Sequence, residues 1–378
     1  MFPIWTFEPF PQRWQGGFAG CTTGIFAVTE EEAAVGEDLF KGLSYQSCQP
    51  DSTERTTGRE NTMKVKFHLP GLRYNYPLNM LFLSLLKTHP EFFREGVEIA
   101  SFFGEFPLSL WNGGRLSLGD QCDSRFIQEV VKNINAQGIP VRYTYTNPLI
   151  TEEDLDDPYC NFCMKAADNG MNEVMVFSPV LEAYIRKHYP SFRINSSTCK
   201  EIKNWEQLNE ELKKDYHMVV LDYNLNNQFD MLEKIEHKEK AEVLVNTLCI
   251  PACPRRGDHY RNVGINQRII LENRKKPPQK QQPIIPWHCE YGDKNCIHTI
   301  QDYPTYISPE QIWERYVPMG FHNFKIEGRT ANVFSLIETY CFYMIRPEKQ
   351  GEARLILLQN LAANKIITVN RPRPAKWP

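Results

Sequence analysis

Residues 217–247, HMVVLDYNLNNQFDMLEKIEHKEKAEVLVNT, hold two short apolar runs separated by a helical stretch. HMVVLDYN (217–224) and AEVLVNT (241–247) read as strands, and NQFDMLEKIEH between them reads as a helix. Strands joined this way lie parallel. The connection is right-handed, because a twisted strand and a right-handed helix pack back onto one sheet only in that sense.

The unit repeats outward along the chain. VKFHLPG (65–71), VEIASFFG (97–104), VRYTYTNP (141–148), EVMVFSP (173–179) and FRINSST (192–198) precede it, and FHNFKIEGR (321–329) follows. Between them lie helical candidates such as LNMLFLSLLKTH, DSRFIQEVVKNINAQG, EEDLDDPYCNFCMKAADNG, PVLEAYIRKHY, NWEQLNEELKK, SPEQIWERYVPM and NVFSLIETYCFYMI. Phe126, Val130, Val131 and Ile134 show the helical spacing, and Gly138 and Gly170 end their helices. Eight strands with such crossovers predict an α/β fold, a (β/α)8 TIM-like barrel. A doubly wound sheet would want a glycine-rich phosphate turn after its first strand, and LPGLRYNYP is not one.

This reading divides the chain into an N-terminal extension and linker (1–62), a barrel (63–348) and a C-terminal tail packing on it (349–378). The excursion between strands seven and eight, residues 249–308, is too long for an ordinary loop. Its middle, ENRKKPPQKQQPIIP, reads as a flexible basic span, and its ends carry cysteines.

With 42% hydrophobic residues among 378, the chain can bury a large core. Its 43 basic and 46 acidic residues give a net charge of -3, which disfavours a general polyanion-binding protein. The sequence has neither a long apolar span nor a basic-then-apolar N-terminus, so a cytoplasmic protein with no membrane partner is expected. Eleven cysteines in a chain too large to need stapling point to a reducing compartment and to metal ligation.

Cys249, Cys253, Cys289 and Cys296 form the arrangement C-x3-C-x35-C-x6-C. Two loop pairs of thiolates suit a tetrahedral zinc site or a four-iron, four-sulfur (4Fe-4S) cluster, and the spacing alone does not separate them. His259, His288 and His298 favour zinc, whereas an all-thiolate set at a barrel mouth favours the cluster. Cys160 and Cys163 fall in a helical run and read as core, and Cys199 is a reserve ligand.

In a barrel, residues at strand C-terminal ends converge on one face. Reading them off gives His68, Ser101, Glu105, Asn147, Ser178, Ser196 to Thr198, Asp222, Asn224, Asn246, Cys249, Lys325, Glu327 and Arg329 as the lining of one mouth. Glu327, Asp222 and His68 are the candidate proton-handling groups. Arg115 in LWNGGR, Asn147, Asn246, Lys325 and Arg329 are the candidate substrate contacts. Period two also places Lys325 and Glu327 on one strand face, where they would pair. There is no G-x-S-x-G, H-E-x-x-H, P-loop or G-x-G-x-x-G.

FKIEGR at the last strand, the cysteine-rich excursion before it and the barrel-like repeat together resemble the U32 peptidase family. That family includes collagenase-like proteases and relatives required for oxygen-independent hydroxylation of ubiquinone precursors and of ribosomal or transfer RNA. The resemblance implies a TIM barrel in which Cys249, Cys253, Cys289 and Cys296 ligate a 4Fe-4S cluster. It also implies redox or hydroxylation chemistry on a small molecule or an RNA base, with an electron donor or partner subunit. The close thiols here follow strand seven directly, which departs from the family's spacing. The alternatives are a zinc-dependent hydrolase or peptidase and a non-enzymatic binding protein whose metal site staples the long loop.

Overall fold

The computed structural model describes residues 64–116, 119–289 and 295–367. The extension assigned to residues 1–62 and the end of the C-terminal tail lie outside the described residues.

Eight parallel strands close into a barrel in chain order: β1 Val65–Pro70, β2 Val97–Gly104, β3 Val141–Tyr145, β4 Glu173–Val176, β5 Arg193–Ser196, β6 Met218–Val220, β7 Ala241–Leu244 and β8 Asn323–Lys325. Closure joins β8 to β1, pairing Lys66 with Asn323 and His68 with Lys325. The chain therefore adopts the (β/α)8 barrel that its alternation predicts. Seven of the eight strands end earlier than the sequence suggests, because tilted neighbours part at the rim and the chain turns outward there.

Helices α1 Tyr76–Thr88, α2 Ser124–Ala136, α3 Pro158–Ala166, α4 Pro179–His188 and α5 Trp205–Lys213 cover the first half of the barrel. Asp123, Asp157, Ser178 and Asn204 each accept a hydrogen bond from a backbone N–H of the first turn, so these helices start on a fixed cap. On α2 the buried stripe is Ile127, Val130, Val131 and Ile134. The predicted helix NQFDMLEKIEH shrinks to α6 Phe229–Leu232. Its first residue, Asn227, and the preceding Asn226 do other work. Asn226 donates to the carbonyls of Leu244 and Thr305 at 2.8 and 2.7 Å, and Asn227 donates to that of Tyr306 at 2.7 Å.

Helix α7, Arg256–Asn273, follows β7 and has no counterpart in the sequence reading. Before β8 stands α8 Pro309–Gln311, continuing into a π-helical turn Ile312–Tyr316. After β8 come α9 Val333–Met344 and α10 Gln350–Ala363, which buries Ala353, Leu357 and Leu361. No described helix is long and apolar enough to cross a membrane.

The apolar strand residues face the helices. Val65, Phe67, Leu69, Val141, Val243 and Phe324 are fully buried in that layer. The barrel interior is charged instead. Arg142 donates from Nε to Glu173 Oε2 at 2.7 Å and from Nη1 to Glu242. Glu242 Oε1 lies 3.4 Å from Lys325 Nζ, and its Oε2 lies 3.3 Å from His68 Nε2. His68 Nδ1 is 2.7 Å from Ser101 Oγ, and Asn195 Nδ2 donates to Glu173 at 2.9 Å.

His68 is thus an interior residue rather than part of the mouth, and Lys325 pairs with Glu242 rather than with Glu327. The reason is geometric: Lys325 is the last residue of β8 and points into the barrel, whereas Glu327 stands beyond the strand, at the rim.

Burial, followed by the charge of Arg142, lowers the His68 pKa to about 3. Burial raises that of Glu242, but Arg142, His68 and Lys325 outweigh it and bring the carboxyl down to about 2. Both groups bind fewer protons folded than unfolded, so stability increases with pH over this range. It is expected to fall below about pH 6.5 through His68 and further below about pH 4.5 through Glu242, as their folded values are approached. Urea midpoints measured from about pH 7 down to about pH 3 check this. Glu242→Gln removes the shared carboxylate from Arg142 and Lys325, and a loss of about 3–5 kcal/mol in urea unfolding at neutral pH is expected.

Candidate functional site

Beyond β7 the chain passes through Asn246 into the loop that carries Cys249 and Cys253. Three anchors hold this loop. Asn246 exchanges hydrogen bonds with the backbone of Glu327, donating to its carbonyl at 3.0 Å and accepting from its N–H at 2.6 Å. The Glu327 carboxylate accepts from the N–H of Leu248 at 3.3 Å and pairs with the Arg115 guanidinium. Asn224 Oδ1 accepts from the N–H of Ala252 at 2.7 Å, at a left-handed φ of 50°. The turn around Pro251 and Ala252 reverses the chain, and burial, with Cys253 adding to it, raises the Cys249 pKa.

Asp222 orients this third anchor. Its Oδ1 accepts from the backbone and side-chain amides of Asn224 at 2.9 and 2.7 Å, and its Oδ2 accepts from Arg256 Nη1 at 2.6 Å. Arg256 also donates to the Thr198 carbonyl at 2.9 Å and to the Tyr260 hydroxyl at 2.7 Å. Its guanidinium lies 4.3 Å over the Tyr223 ring. Burial opposes its charge, but Tyr260 and Asp222 more than compensate and keep it protonated. Arg115 stands near Tyr260, Cys249 and Cys199, with burial lowering its pKa.

The excursion returns to the same place. The 18 residues of α7 run about 27 Å along the loops that follow β3 and β2, where Arg268 pairs with Asp154 and Arg274 with Asp120, and residues 281–288 come back along the helix in extended form. Asn273 Nδ2 donates to the Gln282 carbonyl at 2.6 Å and Asn273 Oδ1 accepts from the Gln282 N–H at 2.8 Å. Asn266 makes the same pair of bonds with Ile285, at 2.8 and 2.7 Å. Asn266 and Asn273 are two turns apart on one helix face, about 10.5 Å along the axis, and three extended residues cover about 10 Å. The stretch ENRKKPPQKQQPIIP, expected to be a flexible span, is therefore a helix end and an ordered strap.

At the far end of the strap Arg255 Nη1 donates to the His288 carbonyl at 2.9 Å, and its guanidinium sits 4.3 Å over the Trp287 ring. His259 stacks on that ring at 5.1 Å. Asn295 Nδ2 donates to the Leu248 carbonyl at 2.7 Å. The neighbours of Cys289 and Cys296 thus touch the neighbours of Cys253 and Cys249. Residues 290–294 lie outside the described residues, and among the described residues no group of three or more His, Cys, Asp or Glu side chains is arranged to hold a metal ion.

Of the residues singled out from sequence, Glu327, Arg115, Asp222, Asn246, Cys249 and Cys253 meet at this rim. His68 and Lys325 lie beneath it in the barrel. Asn147 is in the wall, donating to the Leu110 carbonyl at 2.8 Å and accepting from the Leu149 N–H at 3.0 Å. Arg329 is clasped by Glu105 and Thr144, both at 2.7 Å, and by the Gly113 carbonyl at 2.8 Å. Neither is free to take a substrate group.

Arg256, Tyr260 and Tyr223 were missed. Arg256 and Tyr260 are four residues apart in PRRGDHY, a signal of one helix face had that segment been read as a helix start. Asp222 is buried with Arg256, so Asp222→Asn is expected to cost about 3–5 kcal/mol by leaving that cation poorly paired. Urea unfolding checks this; an unchanged midpoint would return Asp222 to the list of proton-handling groups.

No protein-family model matches the chain, and no curated protein matches it. Among solved structures it is similar to one described as the structure of the U32 peptidase Mk0906. The TM-score is 0.42 at 13% sequence identity, over 74% of this chain and 98% of that one. The likeness lies in the path of the chain and assigns no residue a role.

Proposed function

We propose that Cys249, Cys253, Cys289 and Cys296 hold one 4Fe-4S cluster over the C-terminal mouth of the barrel, in an enzyme of U32-like type. Its chemistry on this reading is redox or hydroxylation of a small molecule or an RNA base, with electrons supplied by a partner. The reading is carried by the two contacts that stitch the cysteine segments together, Arg255 to His288 and Asn295 to Leu248. The donor chemistry suits a cluster, four thiols in two sequence pairs with the Arg115 charge acting on Cys249 to offset that of a thiolate, while the described side chains are not gathered round one point. Such a cluster, when bound, supplies one-electron transfer.

The chain's own groups supply the rest. Arg115 and Glu327 stand at the rim with side chains 31% and 14% exposed, within reach of a substrate. Arg115 offers a fork of donors to an anionic or carbonyl oxygen. Glu327 then exchanges its ion pair for a proton at the carboxylate. Asp222 acts through Asn224 and Arg256 as a positioning residue for the cysteine loop. Beneath them Lys325, lowered to about 8 by burial against the pull of Glu242, keeps a positive charge under the mouth at neutral pH.

Anaerobic purification followed by iron and labile-sulfide analysis is expected to yield brown protein with about four irons per chain. Colourless protein with one zinc per chain would replace the cluster by a structural zinc site. Turnover that survives Cys249→Ser would make the centre a staple for the long loop. Once a substrate is found, Glu327→Gln should lower turnover by about 100-fold or more while leaving the thermal midpoint nearly unchanged; full activity in that variant assigns Glu327 to structure alone.

A further inference from the structure

Of the five side chains in the interior charge cluster, Lys325 is the most open to solvent. It is 9% exposed, against 4% for Glu173, 2% for His68 and 0% for Arg142 and Glu242. As the last residue of β8 it reaches solvent through the C-terminal mouth, under Arg115 and Glu327. Its amine is also poorly held. An ammonium has three donors to satisfy. Lys200 finds Glu211 at 2.5 Å and Tyr216 at 3.0 Å, and Lys240 donates to the carbonyls of Leu212 and Lys214 at 2.6 and 2.9 Å. Lys325 Nζ has instead the Met175 sulfur at 3.7 Å and the face of the Phe103 ring at 4.0 Å. Its nearest carboxylate oxygen, Glu242 Oε1 at 3.4 Å, makes no hydrogen bond of ordinary geometry among the described residues, and Arg142 takes the other oxygen. An amine desolvated in this way, next to a second cation, is a nucleophile in the making.

We propose that Lys325 attacks a small aldehyde or ketone entering through the mouth and forms an imine with it. The proposal goes beyond the cluster reading and does not depend on it. The amine adds to the carbonyl carbon: a C–N bond forms, and the C=O π pair moves to oxygen, which takes up a proton that the ammonium gave. A second proton from the same nitrogen reaches that oxygen, the C–O bond breaks, water leaves and C=N forms. Counted from ammonium and carbonyl, two hydrogens depart in water and one stays on the iminium nitrogen, so no oxidant or reductant is needed. The iminium keeps the positive charge that Glu242 and the Phe103 face meet, and the interior stays balanced. It draws electrons more strongly than the carbonyl it replaces, which eases cleavage of a bond beside that carbon. Burial supplies the free amine by lowering the Lys325 pKa to about 8; Glu242 opposes this, and Arg142 and Arg329 assist it. About a tenth is then unprotonated at pH 7, against about 0.04% of an ordinary lysine.

The test incubates the full chain at about pH 7 with pyruvate and cyanoborohydride, which reduces an imine to a stable carboxyethyl amine, and maps the adducts by mass spectrometry. A parallel run with hydroxyacetone covers a carbonyl without charge. Lys325 is expected to be labelled about 10-fold or more faster than the exposed Lys87 and Lys132 by at least one of the two. That ratio should shrink as the pH is raised from about 7 to about 10, where ordinary lysines gain free amine and Lys325 has little more to gain. Lys325→Met should lose this adduct and keep the others. Labelling of Lys325 no faster than of Lys87 by either carbonyl overturns the proposal and leaves the cluster reading standing. Should Lys325→Met not fold, the wild-type map and its pH dependence decide alone.

Discussion

One carboxylate ties four strands of the barrel together. Glu242 on β7 meets Arg142 from β3, His68 from β1 and Lys325 from β8, while Glu173 on β4 takes the other side of Arg142. A parallel barrel filled with branched apolar side chains closes on burial alone. Here closure also requires that two cations and two carboxylates arrive at the same depth, since each is costly to bury unpaired. Register is specified in consequence. A one-residue slip of β7 would turn Glu242 into the apolar layer where Val243 packs and bring Val243 among charges.

The eight strands were legible because each is a short apolar run bounded by polar residues and followed by a helical pattern. Glu242 and Glu173 were legible in principle, since AEVLV and EVMVF each place a single acid on the face opposite the apolar partners of the helices. Both lie at the start of their strands, away from the C-terminal ends where barrel chemistry usually collects. Helix α7 was hidden for a different reason. The side it buries consists of Arg256, Val263, Gly264, Asn266 and Gln267, so no apolar period exists to be found. Gly264 is required there by contact, because a Cβ would lie 2.5 Å from Asn147 Oδ1.

The polar rim is a set of side chains already committed to partners. Asp222, Asn224, Asn246 and Glu327 hold the loop between Cys249 and Cys253 by its backbone. Sequence shows which side chains come to a strand end; it does not show that their partners are the N–H and C=O groups of the next loop. A tight loop of this kind leaves several such groups unsatisfied, and short amides and carboxylates are the residues that reach them.

The pairing of α7 with the returning strap couples two lengths. Helix rises slowly per residue and extended chain quickly, so seven residues added to the outgoing leg are matched by about three added to the return. Insertions in that ratio keep Asn266 and Asn273 in step with the strap and leave His288 beside Arg255. Any other ratio carries His288 away from Arg255. Size variation in this part of the molecule is therefore quantised, and a chain of altered length that keeps the ratio would present the same cysteine neighbours beside a longer helix-and-strap pair.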